Sequence, residues 1–456
     1  MDTTTSATSN KSPLAVLFVF ALAFSTSVTP AQSQFCSDRP GGCCPGRDDA
    51  CTVPRGDTLC YCDEFCLRSK DPDCCPDVFN NCTALPVTVA PLSPNPLKSD
   101  CLYEGKHYFA GDSIKINCNT CTCLLDVGGY ELQCEDKVCL IREEIINAVN
   151  SDSNGWLARN YTFLWGLTLE EGVRRRLGTL KPAPFVAGMK NIAIEQMEDL
   201  PESFDSRQKW PGWIEDVMDQ GNCGSSWAVS TTSVASDRLA IQSMGNMKLP
   251  LSAQNLLSCN TRRQRGCDGG HLDRAWYYVR KYGVVTDKCY PYKSGMDESS
   301  KMERYPCMLP RHQSTPCPKN DTTSGKYHSS PPYRISEKES DIKAEIFKNG
   351  PVQATFLVKD DFYSYAGGVY KYTREAVKGA SKGKQRSGYH SVRIIGWGVD
   401  RTNPSISLPY WICANSWGTQ WGENGLFRII RGQNECGIES FIVGVWGDID
   451  MEMMRH

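Results

Sequence analysis

The sequence predicts an α+β domain in its C-terminal half, preceded by two small disulfide-rich modules. Cysteine distribution is the first observation behind this. Of 24 cysteines, ten lie between Cys36 and Cys82 and six between Cys101 and Cys139, leaving eight for the rest. Blocks that short cannot bury an apolar core of their own, so disulfides must substitute for burial. The second observation is a helical spacing of Trp227, Val234, Ala235 and Ile241, which predicts a helix from Ser226 to about Met244, ended by Gly245. The third is a pair of strand signals, one after Gly350-Pro351 and one after His390.

The elements follow in chain order. Leu14–Phe24 is an apolar run preceded by Lys11 and followed by the small residues Ala31 and Ser33. It is too short to span a bilayer and has signal-peptide layout, so residues 1–33 are expected to direct secretion. An uncleaved anchor or a buried helix is the competing reading. So many cysteines belong in an oxidising compartment. Sequons place candidate glycans on Asn81, Asn160 and Asn320. The net charge of −2 gives no overall attraction to nucleic acid or an anionic membrane, and neither is expected as a partner.

Within the first block, Cys60-Tyr61-Cys62-Asp63-Glu64-Phe65-Cys66 precedes the pair Cys74-Cys75 and then Cys82. This 36–82 segment resembles the somatomedin B module, a small disulfide knot that typically binds proteins. Two extra cysteines among Cys36, Cys43, Cys44 and Cys51 leave the connectivity open. The block also holds Arg55-Gly56-Asp57, which a stapled loop would present for integrin capture. Residues 83–100 carry Pro86, Pro91, Pro94 and Pro96 and read as a semi-extended linker. The 101–139 block, with Cys118-Asn119-Thr120-Cys121-Thr122-Cys123, resembles a short von Willebrand factor C module. Zinc ligation is the alternative for its cysteines, disfavoured by the compartment and by the lack of a histidine at ligand spacing. No metal or cofactor is expected.

The chemistry concentrates further on. Gln220-Gly221-Asn222-Cys223-Gly224-Ser225-Ser226-Trp227 resembles the nucleophile segment of papain-type peptidases, which reads C-G-[SA]-C-[WY], but Ser226 stands where the reactive cysteine belongs. Gln220 matches the side chain that helps form the family's oxyanion hole. Gly388-Tyr389-His390-Ser391 resembles its histidine motif, and Ala414-Asn415-Ser416-Trp417-Gly418 the segment whose asparagine orients that histidine beneath a tryptophan. Residues 141–199 resemble the cathepsin B propeptide, and residues 200–448 the enzyme that follows it. The resemblance implies a papain-like fold, a Cys223–Cys267 disulfide, and a cleft wall at Gly269 and Gly270. Two departures accompany Ser226. The loop between Cys307 and Cys317 has one histidine, His312, where the family has an adjacent pair. Phe441 replaces an acidic specificity residue, so an apolar pocket is expected there.

Papain-type catalysis starts from a thiolate–imidazolium pair. A helix N-terminus lowers a thiol's pKa through the macrodipole, but a serine hydroxyl does not ionise at physiological pH. Serine peptidases compensate with a carboxylate behind the histidine, and Asn415 carries no charge. The expectation is therefore a pseudoenzyme whose degenerate site is Gln220, Ser226, His390 and Asn415.

The module order as a whole resembles the tubulointerstitial nephritis antigen family, secreted non-catalytic peptidase homologues of basement membranes. That resemblance implies matrix localisation, with laminin, type IV collagen and integrins as partners, and brings scavenger-receptor and polysaccharide-binding assignments. Basic clusters at Arg174-Arg175-Arg176, Arg262-Arg263 with Arg265, and Lys382 to Arg386 point to sulfated glycans. Two rival readings stay open: a peptidase that uses Ser226, and a peptide-binding decoy.

Overall fold

The structure, a computed structural model, describes residues 35–447 apart from 40–41, 45, 47, 56–57, 69–72, 83–99, 152–154, 196, 297–304, 310–316, 318–324, 374–386 and 404–406. The chain divides into two compact units at Pro96/Leu97, inside the proline-rich strip. The expected signal peptide, Gly56, Asp57, His312, Asn320 and the Lys382–Arg386 cluster lie outside the described residues.

In the first unit the strands Thr52–Arg55 and Thr58–Tyr61 pair as an antiparallel hairpin, with Arg55 opposite Thr58. Its core consists of Val53, Val78 and eight buried cysteines. Five disulfides close it: Cys36–Cys62, Cys43–Cys82, Cys44–Cys51, Cys60–Cys75 and Cys66–Cys74. The connectivity left open by the sequence is thereby assigned.

The second unit opens with a module of two small antiparallel sheets, Asp100–Tyr103 with Lys106–Phe109, and Ser113–Ile116, Asn119–Asp126 and Gly129–Cys134. Its six cysteines pair as Cys101–Cys123, Cys118–Cys139 and Cys121–Cys134. The zinc alternative falls, because a zinc site needs thiolates and these sulfurs are in disulfides. Asn117 fixes the module to the segment that follows: its Nδ2 donates to the Ile141 carbonyl at 2.7 Å, and its Oδ1 accepts from the Gly166 N–H at 3.1 Å.

Beyond residue 140 the chain builds a nine-stranded mixed sheet. Its order is Tyr333–Ile335, Ile442–Gly444, Val352–Val358, Gly388–Asp400, Leu408–Ala414, Leu426–Ile430, Tyr365–Tyr370, Trp156–Ala158, with Phe204–Asp205 alongside Gly388–Asp400. Only Tyr365–Tyr370 and Leu426–Ile430 run parallel. Among the described residues of this unit, apolar side chains gather in two large cores and a small cluster of Val285, Tyr290 and Cys317. The larger joins the sheet's Phe356, Trp411 and Phe427 to Ile145, Val149, Trp156 and Leu164 of the propeptide-like segment. The other packs the helix Ser226–Gln242 against Ala253–Cys259 and Leu272–Tyr282.

The helix Ser226–Gln242 departs from the one-faced pattern expected of it. Every residue from Ser226 to Ala240 is buried, including Ser230, Thr231, Asp237 and Arg238. It packs against sheet and helices together, so its polar residues find partners inside. Arg238 donates to the carbonyls of Pro351 and Val445 and pairs with Glu345 at 2.8 Å. Asp237 pairs with Arg393 at 2.7 Å. Each buried charge is thus hydrogen-bonded, the condition under which such burial is tolerated.

The propeptide-like segment is a structural member of this unit. Trp156–Ala158 adds an antiparallel strand to the sheet's edge beside Tyr365–Tyr370. Tyr161 donates its hydroxyl to the Tyr365 carbonyl at 2.5 Å and accepts from the Gly422 N–H at 2.8 Å. Arg142 and Asp360, both buried, pair at 2.7 Å. Asn160 is exposed, as a glycan acceptor requires.

Candidate functional site

Ser226 is the first residue of its helix and is fully buried. The Cys223–Cys267 disulfide, which the resemblance implied, holds the turn before it. Tyr292 donates its hydroxyl to the Gln220 carbonyl at 2.9 Å, and Ser416 donates to Gln220 Oε1 at 2.6 Å. These two contacts aim the amide nitrogen of Gln220 toward the cleft. Tyr292 lies outside every motif read from the sequence, and Ser416, though inside the asparagine motif, has no role that its position alone reveals.

His390 lies inside the strand Gly388–Asp400 rather than ahead of it. Its Nε2 bonds Asn415 Oδ1 at 2.7 Å, and the Trp417 ring lies 5.2 Å away, centroid to centroid. Phe356 closes the other side at 5.9 Å. The arrangement is the one the motifs implied, an imidazole held by an amide beneath an indole. Burial pushes the His390 pKa down to about 4, against the opposing bond from Asn415. The ring is therefore neutral near pH 7. Its Nδ1 has no hydrogen-bond partner, nor has Asn415 Nδ2.

The cleft is filled by the protein's own chain. The helix Leu169–Arg176 starts in a capping box between Thr168 and Glu171, which satisfies its first N–H groups. From its end, Leu177-Gly178-Thr179-Leu180 runs past Ser226. The Leu177 carbonyl accepts from Gln220 Nε2 at 3.0 Å and from the Ser226 N–H at 3.3 Å. Both donors, the pair that the family resemblance implies for an oxyanion hole, are thus committed to one peptide oxygen. Gln220 Nε2 also donates to the Cys223 carbonyl at 2.8 Å.

The segment is fixed on both sides. Gly270 donates to the Gly178 carbonyl and the Leu180 N–H to the Gly270 carbonyl, both at 2.9 Å; opposite, the Thr179 N–H reaches the Tyr389 carbonyl at 3.3 Å. Gly178 has a φ of +115°, and a Cβ there would stand 1.9 Å from the Gly224 oxygen, so only glycine passes. Trp417 Nε1 donates to the Arg176 carbonyl at 2.6 Å. Arg176 itself is buried and donates to the Gly221 carbonyl and Asn222 Oδ1.

Three expectations need correction here. The Arg174–Arg176 triplet is not a free basic patch, since Arg174 pairs with Asp268, Arg175 with Glu171, and Arg176 is inside. Phe441 is buried beneath the Arg334 guanidinium, 5.5 Å from its ring, and packs in the same core as Val186 of the propeptide-like segment. Gly270, expected with Gly269 in a cleft wall open to a ligand, instead pairs with the chain's own Gly178 and Leu180. Of Arg55-Gly56-Asp57, only Arg55 is described, and it is exposed. The side chain of Asn81 is not among the described ones.

Residues 200–446 match the papain family of cysteine proteases. The chain belongs to that family. It is 41% identical over 440 residues to human "Tubulointerstitial nephritis antigen-like", covering 94% of this chain and 91% of that one. To human "Tubulointerstitial nephritis antigen" it is 43% identical over 430 residues, covering 92% and 88%. A "Cathepsin B-like cysteine proteinase 4" of Caenorhabditis elegans is 37% identical over 323 residues, 66% of this chain and 91% of that one. Among solved structures, a procathepsin B from Trypanosoma congolense superposes with a TM-score of 0.57 at 31% identity, covering 68% of this chain and 99% of that chain. Papain-family geometry thus surrounds a serine in this chain. Leu177, Thr179 and Ser391, all in contact with that site, were missed in the sequence because their relevance depends on where the chain passes.

Proposed function

We propose that the protein is a secreted, non-catalytic peptidase homologue that acts by binding in the extracellular matrix. The observation that carries this reading is the state of Ser226. Its hydroxyl is bonded to Thr179 at 2.9 Å, while His390 Nδ1 has no partner. Attack by a hydroxyl needs a base in hydrogen-bond reach to take its proton. Asn415 offers no charge to stabilise the imidazolium that would result, in a pocket that already resists it. The two oxyanion donors are meanwhile committed to Leu177.

Secretion is supported by eleven disulfides, which need an oxidising compartment to form and persist. Basement-membrane residence, with laminin, type IV collagen and integrins as partners, is supported by the family resemblance and by Arg55-Gly56-Asp57 in the first module. Replacing Asp57 by Glu should abolish cell attachment to surfaces coated with the secreted protein; unchanged attachment would remove the integrin part of the proposal.

A fluorogenic dipeptide assay tests the catalytic part. The connection 187–193, exposed along its whole length, is first cut with an added protease, which is then removed. The native protein should remain silent. Turnover that disappears in His390→Ala would make the protein an enzyme and overturn the proposal.

A further inference from the structure

The Thr179 hydroxyl has two partners from the other side of the cleft: Ser226 Oγ at 2.9 Å and Ser391 Oγ at 2.7 Å. Ser391 also donates to the Ser226 carbonyl at 3.1 Å and lies 2.8 Å from Ser230 Oγ. Ser230 in turn donates to the Ser226 carbonyl and accepts from Gln353 Nε2, both at 2.7 Å. Thr179, Ser226, Ser230, Ser391 and Gln353 are all buried. The result is a buried cluster of four hydroxyls and the Gln353 amide whose one member from the propeptide-like segment is Thr179.

We infer that Ser226 and Ser391 form a binding site for a peptide threonine, and that the serine at the nucleophile position retains the segment Arg176–Leu180 in the mature protein. The chemistry favours oxygen at that position. A hydroxyl both donates and accepts strong hydrogen bonds, whereas a thiol is weak in both roles and its sulfur is larger. Thr179 inserts between two hydroxyls at ordinary O–H···O lengths, and a buried hydroxyl left without such a partner carries its full desolvation penalty. On this account the serine has a binding task of its own. The site reads a short extended segment: a glycine that passes Gly224, then a threonine that enters the hydroxyl pair, with an arginine two residues before the glycine anchored on Gly221 and Asn222. A peptide from outside would have to displace that segment, which counts against the decoy reading.

The inference rests on the cleft being closed, as the proposed function has it, but its test is independent of activity. Hydrogen exchange of the intact secreted protein reports opening of residues 177–180 through four amides: Thr179, Leu180, Ser226 and Gly270. Thr179→Val keeps the shape and removes the hydroxyl, and should raise exchange at these amides about tenfold, the effect of orphaning a buried hydroxyl. Thr179→Ser should restore native protection. Ser391→Ala should act in the same direction, and the pair Ser391→Ala with Thr179→Val should open the segment no further than Thr179→Val alone. Exchange in Trp156–Ala158 should stay unchanged, which separates local opening from global loss of stability. Native protection in Thr179→Val, or fully additive effects of the two substitutions, would overturn the inference. Peptidase activity in the native protein would refute the proposed function while leaving these exchange results to decide the clasp.

Discussion

His390 shows how burial sets chemistry at a single residue. Its pKa is about 4 in the folded chain against a reference value of 6.5. A depressed histidine binds fewer protons folded than unfolded between those two values, so its contribution to stability is present above pH 6.5 and is lost as pH falls toward 4. The loss amounts to about 3 kcal/mol by pH 4. Acids shielded from water act in the opposite sense: desolvation raises the buried Asp361 to about 6 and, with Asp237 nearby, the half-buried Glu215 to about 8. The total pH profile therefore mixes signs, and a comparison isolates the histidine. Relative to His390→Gln, the native protein should lose about 3 kcal/mol between pH 7 and pH 4 in denaturant titrations. Parallel curves would mean that the imidazole is solvated. The site's residues were legible because Gln220, His390 and Asn415 sit in motifs. Thr179 and Ser391 were not, since nothing local to either residue says that they meet Ser226.

Among the elements, the propeptide-like segment governs what the cleft can do. Its strand Trp156–Ala158 is only three residues long, too short for an alternation signal, so periodicity could not reveal that it completes the sheet. The helix Ser226–Gln242 was readable in position, yet its all-round burial was not, because polar residues such as Asp237 and Arg238 look solvent-facing until their partners are known. Phe441 differs for a related reason: an apolar residue at a pocket position reads as lining in the sequence, whereas the fold buries it. Two substitutions probe this level. Arg142→Met leaves Asp360 buried without its cation and should destabilise the unit by about 3 kcal/mol, read as a lowered Tm. An unchanged Tm would show that the pair contributes nothing. Gly178→Ala places a Cβ against the Gly224 oxygen at a positive φ, and should expel the 177–180 segment, exposing Thr179 and Leu180 to rapid exchange. Native protection there would contradict the tight passage.

Across the whole molecule, covalent and non-covalent links are divided in a revealing way. Each disulfide closes within 36–82, within 101–139, or within 223–317, and none joins the propeptide-like segment to the family domain among the described residues. One cut in the exposed 187–193 connection would leave two chains held by packing, hydrogen bonds and ion pairs such as Arg142–Asp360, with no covalent link among the described residues. They should co-elute as one particle in native size-exclusion and separate on a non-reducing denaturing gel; separation under native conditions would contradict the shared core. The two cysteine blocks that close on themselves were legible from cysteine spacing, but not the contact of the 101–139 block with the segment after it, where Asn117 and Lys115 meet backbone groups.

The central claim is that Ser226 is held as a binding group and not poised as a nucleophile. Reaction of the intact secreted protein with a fluorophosphonate, followed by peptide mass spectrometry, tests it most directly. The account predicts no adduct on Ser226 between pH 5 and 8. An adduct on Ser226 that vanishes in His390→Ala would contradict it and make this chain a working hydrolase.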